Sequence, residues 1–166
     1  MNKKILYGLL AGIVLTIVLL TIKFKSWKKE FKFGIASGVR FTKIGLTNIQ
    51  IHLPLWFYNP SPIQAVISNL DLKIFFNGTY ISSIKSPANY LLASKRNSTY
   101  PLDISLSTGQ ILNWIAEHGY MIEVDNTDWL KKVDIVIIGN VTLDLGLVKM
   151  KNIPIKIEDN LKTYVG

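Results

Sequence analysis

Eighteen consecutive residues without a charge, Ile5 to Ile22 (ILYGLLAGIVLTIVLLTI), constrain this 166-residue chain more than any other feature. At about 1.5 Å per residue they make roughly 27 Å of helix, close to the ~30 Å hydrocarbon thickness of a bilayer. A core helix in so small a protein keeps a polar face, whereas this run is apolar all round. The expectation is therefore a single N-terminal transmembrane helix as a membrane anchor over residues 1–22. A basic juxtamembrane segment over 23–43 and one folded domain over 44–160 would follow it. A secretory signal peptide also begins with lysines and an apolar run, but it ends in a small-residue cleavage site. Here the run passes into Lys23-Phe24-Lys25-Ser26-Trp27-Lys28-Lys29, which points to an uncleaved anchor. The chain has no cysteine, so a lipidated cysteine and a disulfide framework are both excluded.

Charge is unevenly spread. Up to Lys43 nine basic residues stand against the single acid Glu30, a balance that equals the +8 of the whole chain. From Ile44 onward ten basic residues meet ten acids, so the domain itself is neutral. Nucleic-acid binding needs a basic face on the domain and is disfavoured. Lysines beside a bilayer instead attract anionic lipid headgroups, and Lys23, Lys25, Lys28 and Lys29 are the expected membrane-surface contacts. The larger cluster lies after the span, which by the positive-inside rule puts the domain on the cytoplasmic side.

Beyond residue 43 a period of two dominates. In Asn48 to Asn59 the residues Ile49, Ile51, Leu53, Leu55 and Phe57 alternate with more polar ones, the pattern of a strand with one buried face. Pro54, having no amide donor, belongs there at an edge or a bulge. A second run, Ala65 to Phe76, places Val66, Ser68, Leu70, Leu72, Ile74 and Phe76 on one face and stops at Asn77-Gly78, a strong tight-turn signal. Further strands are expected over Thr79 to Ser83, Tyr90 to Ala93, Tyr100 to Ser107, Val133 to Leu145 and Lys149 to Glu158. Between them, Thr108 to His118 sets Ile111, Leu112 and Ile115 at helical spacing, with Ser107 or Thr108 as N-cap and Gly119 as stop. Six to seven strands without alternating helices imply an all-β antiparallel sandwich carrying one short helix.

Asn59-Pro60-Ser61-Pro62, preceded by an apolar strand and followed by the run from Ile67 to Gly78, resembles the group 2 late embryogenesis abundant (LEA) family, also called the water stress and hypersensitive response (WHy) domain. The family's usual Asn-Pro-Asn is Asn-Pro-Ser here. Thr79 to Ser83, Tyr100 to Ser107, Gly139-Asn140-Val141 and Ile153-Pro154-Ile155 follow in the family's order, so the resemblance spans about Gly45 to Glu158. It implies a seven-stranded sandwich resembling a fibronectin type III domain, an association with desiccation and other stress, and no enzymatic activity. The motif residues Asn59, Pro60, Asn77, Gly78, Gly139 and Pro154 are expected to be structural. Turn chemistry accounts for Asn59, Pro60 and Gly78: an asparagine bonds its own backbone, a proline stiffens the turn and a glycine supplies a positive φ.

Chemistry is otherwise sparse. His52 and His118 fall on different elements, and no spacing of His, Asp and Glu suggests a metal site or a cofactor. Asp125, Asn126 and Asp128 read as a solvated turn, because the glycine and terminal glutamate of a calcium loop are missing. Three Asn-x-Thr or Asn-x-Ser-type sequons, at Asn77, Asn97 and Asn140, carry weight only in a eukaryotic secretory pathway. Abundant lysine, isoleucine and asparagine point to an AT-rich bacterial or viral genome. The expectation is a non-enzymatic, membrane-anchored β-sandwich with a binding or structural role at a membrane surface, in contact with a lipid bilayer and an unidentified protein partner. The alternative is a structural virion protein of a membrane-containing phage, linking capsid and bilayer. Single-pass localisation in a bacterial inner membrane or a virion's internal membrane goes with these readings.

Overall fold

Strands form where alternating residues can bury one face, and a computed structural model, which describes residues 3–86, 88–119, 131–146 and 148–164, holds eleven strands and two α-helices among them. In chain order these are α1 (Lys3–Glu30), β1 (Lys32–Ile35), β2 (Arg40–Ile44), β3 (Asn48–His52), β4 (Leu55–Tyr58), β5 (Ala65–Phe76), β6 (Thr79–Ser86), β7 (Tyr90–Leu92), β8 (Asn97–Tyr100), β9 (Asp103–Ser107), α2 (Thr108–His118), β10 (Asp134–Asp144) and β11 (Lys149–Asn160). The acidic turn at Asp125 to Asp128 lies outside the described residues.

The strand expected over Asn48 to Asn59 is two strands, and so is its partner. Pro54 separates β3 from β4, and Pro101 separates β8 from β9. One antiparallel register runs through both halves, pairing His52 with Asp103 and Leu55 with Tyr100, so the two prolines stand opposite each other. Neither can donate to the ladder. Between the halves only Leu53 and Leu102 exchange hydrogen bonds, of 2.8 and 3.2 Å. The break continues on the other side, where β1 pairs with β4 and β2 with β3. Two three-stranded sheets result, β1-β4-β8 and β2-β3-β9. This corrects the seven-stranded fibronectin-like sandwich: the strands form three sheets, because facing prolines divide what alternation alone reads as continuous strands.

The third sheet has the order β11-β10-β5-β6, with β7 added beside β5, and every pairing in it is antiparallel. Its edges meet the smaller sheets, β11 beside β1 and β6 beside β9. One hydrophobic core draws on all three sheets, including Ile51, Leu55, Phe57, Leu72, Ile74, Ile137, Val141 and Ile155. The alternation in β5 changes phase. Ala65 and Ile67 are buried rather than Val66 and Ser68, after which Leu70, Leu72, Ile74 and Phe76 continue the core face. A bulge in the β5–β10 pairing between Thr142 and Leu143 supplies the shift. Pro154 lies on β11, an edge strand in which a missing donor is tolerated.

Among the described residues no helix is long and apolar enough to cross a membrane. That overturns the transmembrane helix and the single-pass localisation read from Ile5 to Ile22. The physical difference is that helix does not stop at the end of the apolar run. α1 continues through Lys23, Lys25, Lys28 and Lys29 to Glu30, so the 28-residue helix carries six lysines and an acid. Its last turns pack on the domain: Phe24 and Trp27 contact each other edge-on at 5.2 Å and pack against the core. The chain then enters β1 through buried Phe31, stacked on Phe57 at 6.1 Å. α2 begins and ends where the spacing places it, with Gly119 in the left-handed conformation at φ 66°. Its buried residues are Ile111, Trp114 and Ile115, whereas Leu112 is half exposed.

The C-terminal end closes the gap between β1 and β2. After a 3₁₀ turn over Leu161–Thr163, the carbonyl of Tyr164 accepts from the amides of Gly38 and Val39, both at 3.1 Å. The Tyr164 hydroxyl donates to Asp159, and this bond is the main reason its pKa is pushed up to about 12. The folded state thus favours the protonated phenol. That contribution is complete below the ordinary tyrosine pKa near 10 and is lost as pH rises toward 12. Stability should accordingly fall between pH 10 and 12, and Tyr164→Phe should flatten that limb in urea titrations. Gly139 supplies a second test, since a Cβ there would sit 2.0 Å from the Asp71 carbonyl of the neighbouring strand. Gly139→Ala should cost about 3 kcal/mol of stability in urea denaturation, at the upper end of overpacking penalties.

Candidate functional site

The motif residues do not converge. Asn59 and Pro60 lie between β4 and β5, and Asn77 and Gly78 lie between β5 and β6. The twelve-residue strand between them holds these pairs on the order of 40 Å apart. Gly139 and Pro154 are neighbours on β10 and β11, where Asn140 faces Pro154. Gly139 and Asn140 border a shallow hollow on the sheet with Asp71, Lys73, Ile138 and Ile155, and Pro154 lies outside it.

Asn59 is 1% exposed, as is Ser61, and these two are the buried polar residues among the described residues. Burying an amide is tolerable only if it is fully bonded. The Asn59 side chain donates to the carbonyls of Ile63 at 2.9 Å and Leu92 at 3.3 Å, and its oxygen accepts from the Ser61 amide at 3.0 Å. Ser61 Oγ in turn accepts from the Ile63 amide at 3.1 Å. The asparagine thereby closes a turn on itself and ties it to the end of β7. At the far end of β5, Asn77 (φ 46°) and Gly78 (φ 81°) form a two-residue turn with both central residues in the left-handed region. Asn77 Oδ1 accepts from the Asp134 amide at 2.7 Å, which fixes the start of β10. These are structural duties.

The histidines are also accounted for locally. His52 Nδ1 lies 2.9 Å from Asp103 across the β3–β9 pair, and His118 bonds the Trp114 carbonyl at 2.8 Å while stacking on its indole. Among the described residues no group of three or more His, Asp or Glu could hold a metal ion.

The lysines behave differently. Lys25 and Lys28, one helical turn apart, face a hollow of about 250 Å3 between α1 and the start of β11, together with Thr21, Phe24 and residues 148–151. Lys149 and Lys151 thus join two of the four lysines at the C-terminal end of α1. Lys23 and Lys29 are exposed on α1 outside this hollow. Lys149 pairs with Asp144 at 3.1 Å. The Gly146 amide and then Lys149 hold the Asp144 carboxyl below the usual carboxylate range, so it stays ionised at neutral pH. Sequence reasoning missed this convergence because Lys149 and Lys151 lie more than a hundred residues from α1, within a domain of zero net charge.

No family model matches the chain, and no curated protein matches it. Solved structures do. A protein of Arabidopsis thaliana determined in solution is 17% identical, with a TM-score of 0.58 over 76% of this chain and 78% of that one. A protein assigned to the LEA class is 14% identical, with a TM-score of 0.51 over 93% of this chain and 88% of its own. A crystal structure from Archaeoglobus fulgidus is 13% identical at 0.51, over 76% of this chain and 94% of that one. At these identities the likeness is one of fold, and the fold is LEA-like.

Replacing Asn59 tests the turn. Asn59→Ala strands the buried Leu92 carbonyl, the part-buried Ile63 carbonyl and the Ser61 amide, and should cost about 2 to 4 kcal/mol in urea denaturation. Asn59→Asp keeps the size but sets a carboxylate against the carbonyls of Ile63 and Leu92, and should cost at least as much.

Proposed function

We propose that this chain is a non-enzymatic stress-protection domain of the group 2 LEA, or WHy, type, acting against water loss. The observation that carries the reading is the likeness to the LEA-class protein, which runs over 93% of this chain. The in-order motifs from Asn59 to Pro154 support it, among them Asn59 and Asn77, whose side chains hold turns, and Gly139, which leaves room for a neighbouring strand. The polar residues of the core are committed to those duties. What is left for function is surface, which suits a protein that works by binding rather than by turnover.

Drying tests this directly. A desiccation-sensitive enzyme dried with an equal mass of the full chain should retain several-fold more activity on rehydration than with an unrelated globular protein. Equal retention would remove the stress-protection reading.

A further inference from the structure

The hollow between α1 and β11 joins charges from the two ends of the sequence. We infer that it is a docking site for the headgroups of an anionic lipid surface, an inference that goes beyond the stress-protection reading and does not rest on it. Lys25, Lys28, Lys149 and Lys151 surround it, and the acid beside it, Asp144, is held by Lys149 and the Gly146 amide. The local balance is thus strongly positive, although residues 44–166 as a whole carry no net charge. Its apolar side is formed by Phe24, Met150 and Val148, the last 37% exposed. On α1, Val18, one turn before Thr21, is about half exposed.

Three features choose the occupant. Four ammonium groups call for phosphate or another anion. The apolar lining calls for hydrocarbon beside that anion, which free phosphate lacks and the polar sugars of a nucleic-acid backbone supply only poorly. The volume of about 250 Å3 falls below the ~300 Å3 at which pockets begin to engulf a small molecule, so the hollow suits a headgroup presented by a surface. The lysines then do what lysines near an anionic surface do, each adding about a five-fold gain in partition.

Co-sedimentation of the full chain with phosphatidylcholine vesicles, with and without phosphatidylglycerol, tests the site. Lys25→Gln with Lys151→Gln should weaken binding to the anionic vesicles by roughly thirty-fold, at about five-fold per lysine, and leave binding to pure phosphatidylcholine unchanged. Lys23→Gln with Lys29→Gln removes the same charge outside the hollow and should lose only a few-fold. Asp144→Asn should bind more tightly than the parent chain. Inorganic phosphate should compete no better than chloride at equal ionic strength. Equal losses from the two double variants would mean diffuse helix charge and would overturn the site. Displacement by inorganic phosphate would overturn the lipid assignment, as would equal binding to both vesicle types. Unchanged far-ultraviolet circular dichroism in each variant ties any loss to the surface.

Discussion

The facing prolines set the geometry on which the rest depends. A ladder eleven residues long would lie as one twisted sheet, but Pro54 and Pro101 remove two donors at the same level. Only the Leu53–Leu102 pair bridges the break, and both side chains are buried. Because the break crosses all three neighbouring strands, the smaller half of the β structure becomes two sheets that can each close on the large one. The gap left between β1 and β2 is filled by the chain's own end, through the Tyr164 carbonyl. Core, turn and C-terminal closure are consequences of one interruption.

The larger sheet is governed by a different constraint, the approach of β10 to β5. Gly139 leaves room for the backbone at Asp71 and Leu72, and a bulge a few residues later resets which side chains of β5 face inward. The two turns flanking β5 then fix its ends: Asn59 and Ser61 bond internally at one, Asn77 reaches Asp134 at the other. An LEA-like fold accommodates these local commitments.

Much of this was legible from alternation and turn chemistry. Asn77-Gly78 announces its turn, Thr108 to His118 announces its helix, and β5, β6, β7, β10 and β11 fall near their expected bounds, because each rests on local rules. The seven-stranded sandwich failed where a local rule has a nonlocal consequence. Pro54 and Pro101 are each readable as a break, but that they face each other depends on a register spanning half the chain. Trp114 went unread as a core residue for a similar reason, since its burial against Phe76 is set by what α2 lies on. β1 and β2 were hidden by composition: their lysines and Arg40 read as part of a basic linker, although Phe31, Ile35 and Val39 are buried.

The apolar run taught the opposite lesson. It was the most conspicuous signal, and its length alone suggested a membrane span, yet the helix it begins carries on through the lysines and docks Phe24 and Trp27 on the domain. The basic end of α1 belongs to the fold, and that placement creates the groove. A chain without cysteine allows the placement to be measured directly. Spin labels at Lys25→Cys and Lys151→Cys, read by pulsed electron resonance, should give one narrow distribution at short distance. A broad distribution reaching long distances would mean that α1 moves independently of β11, and would contradict the account.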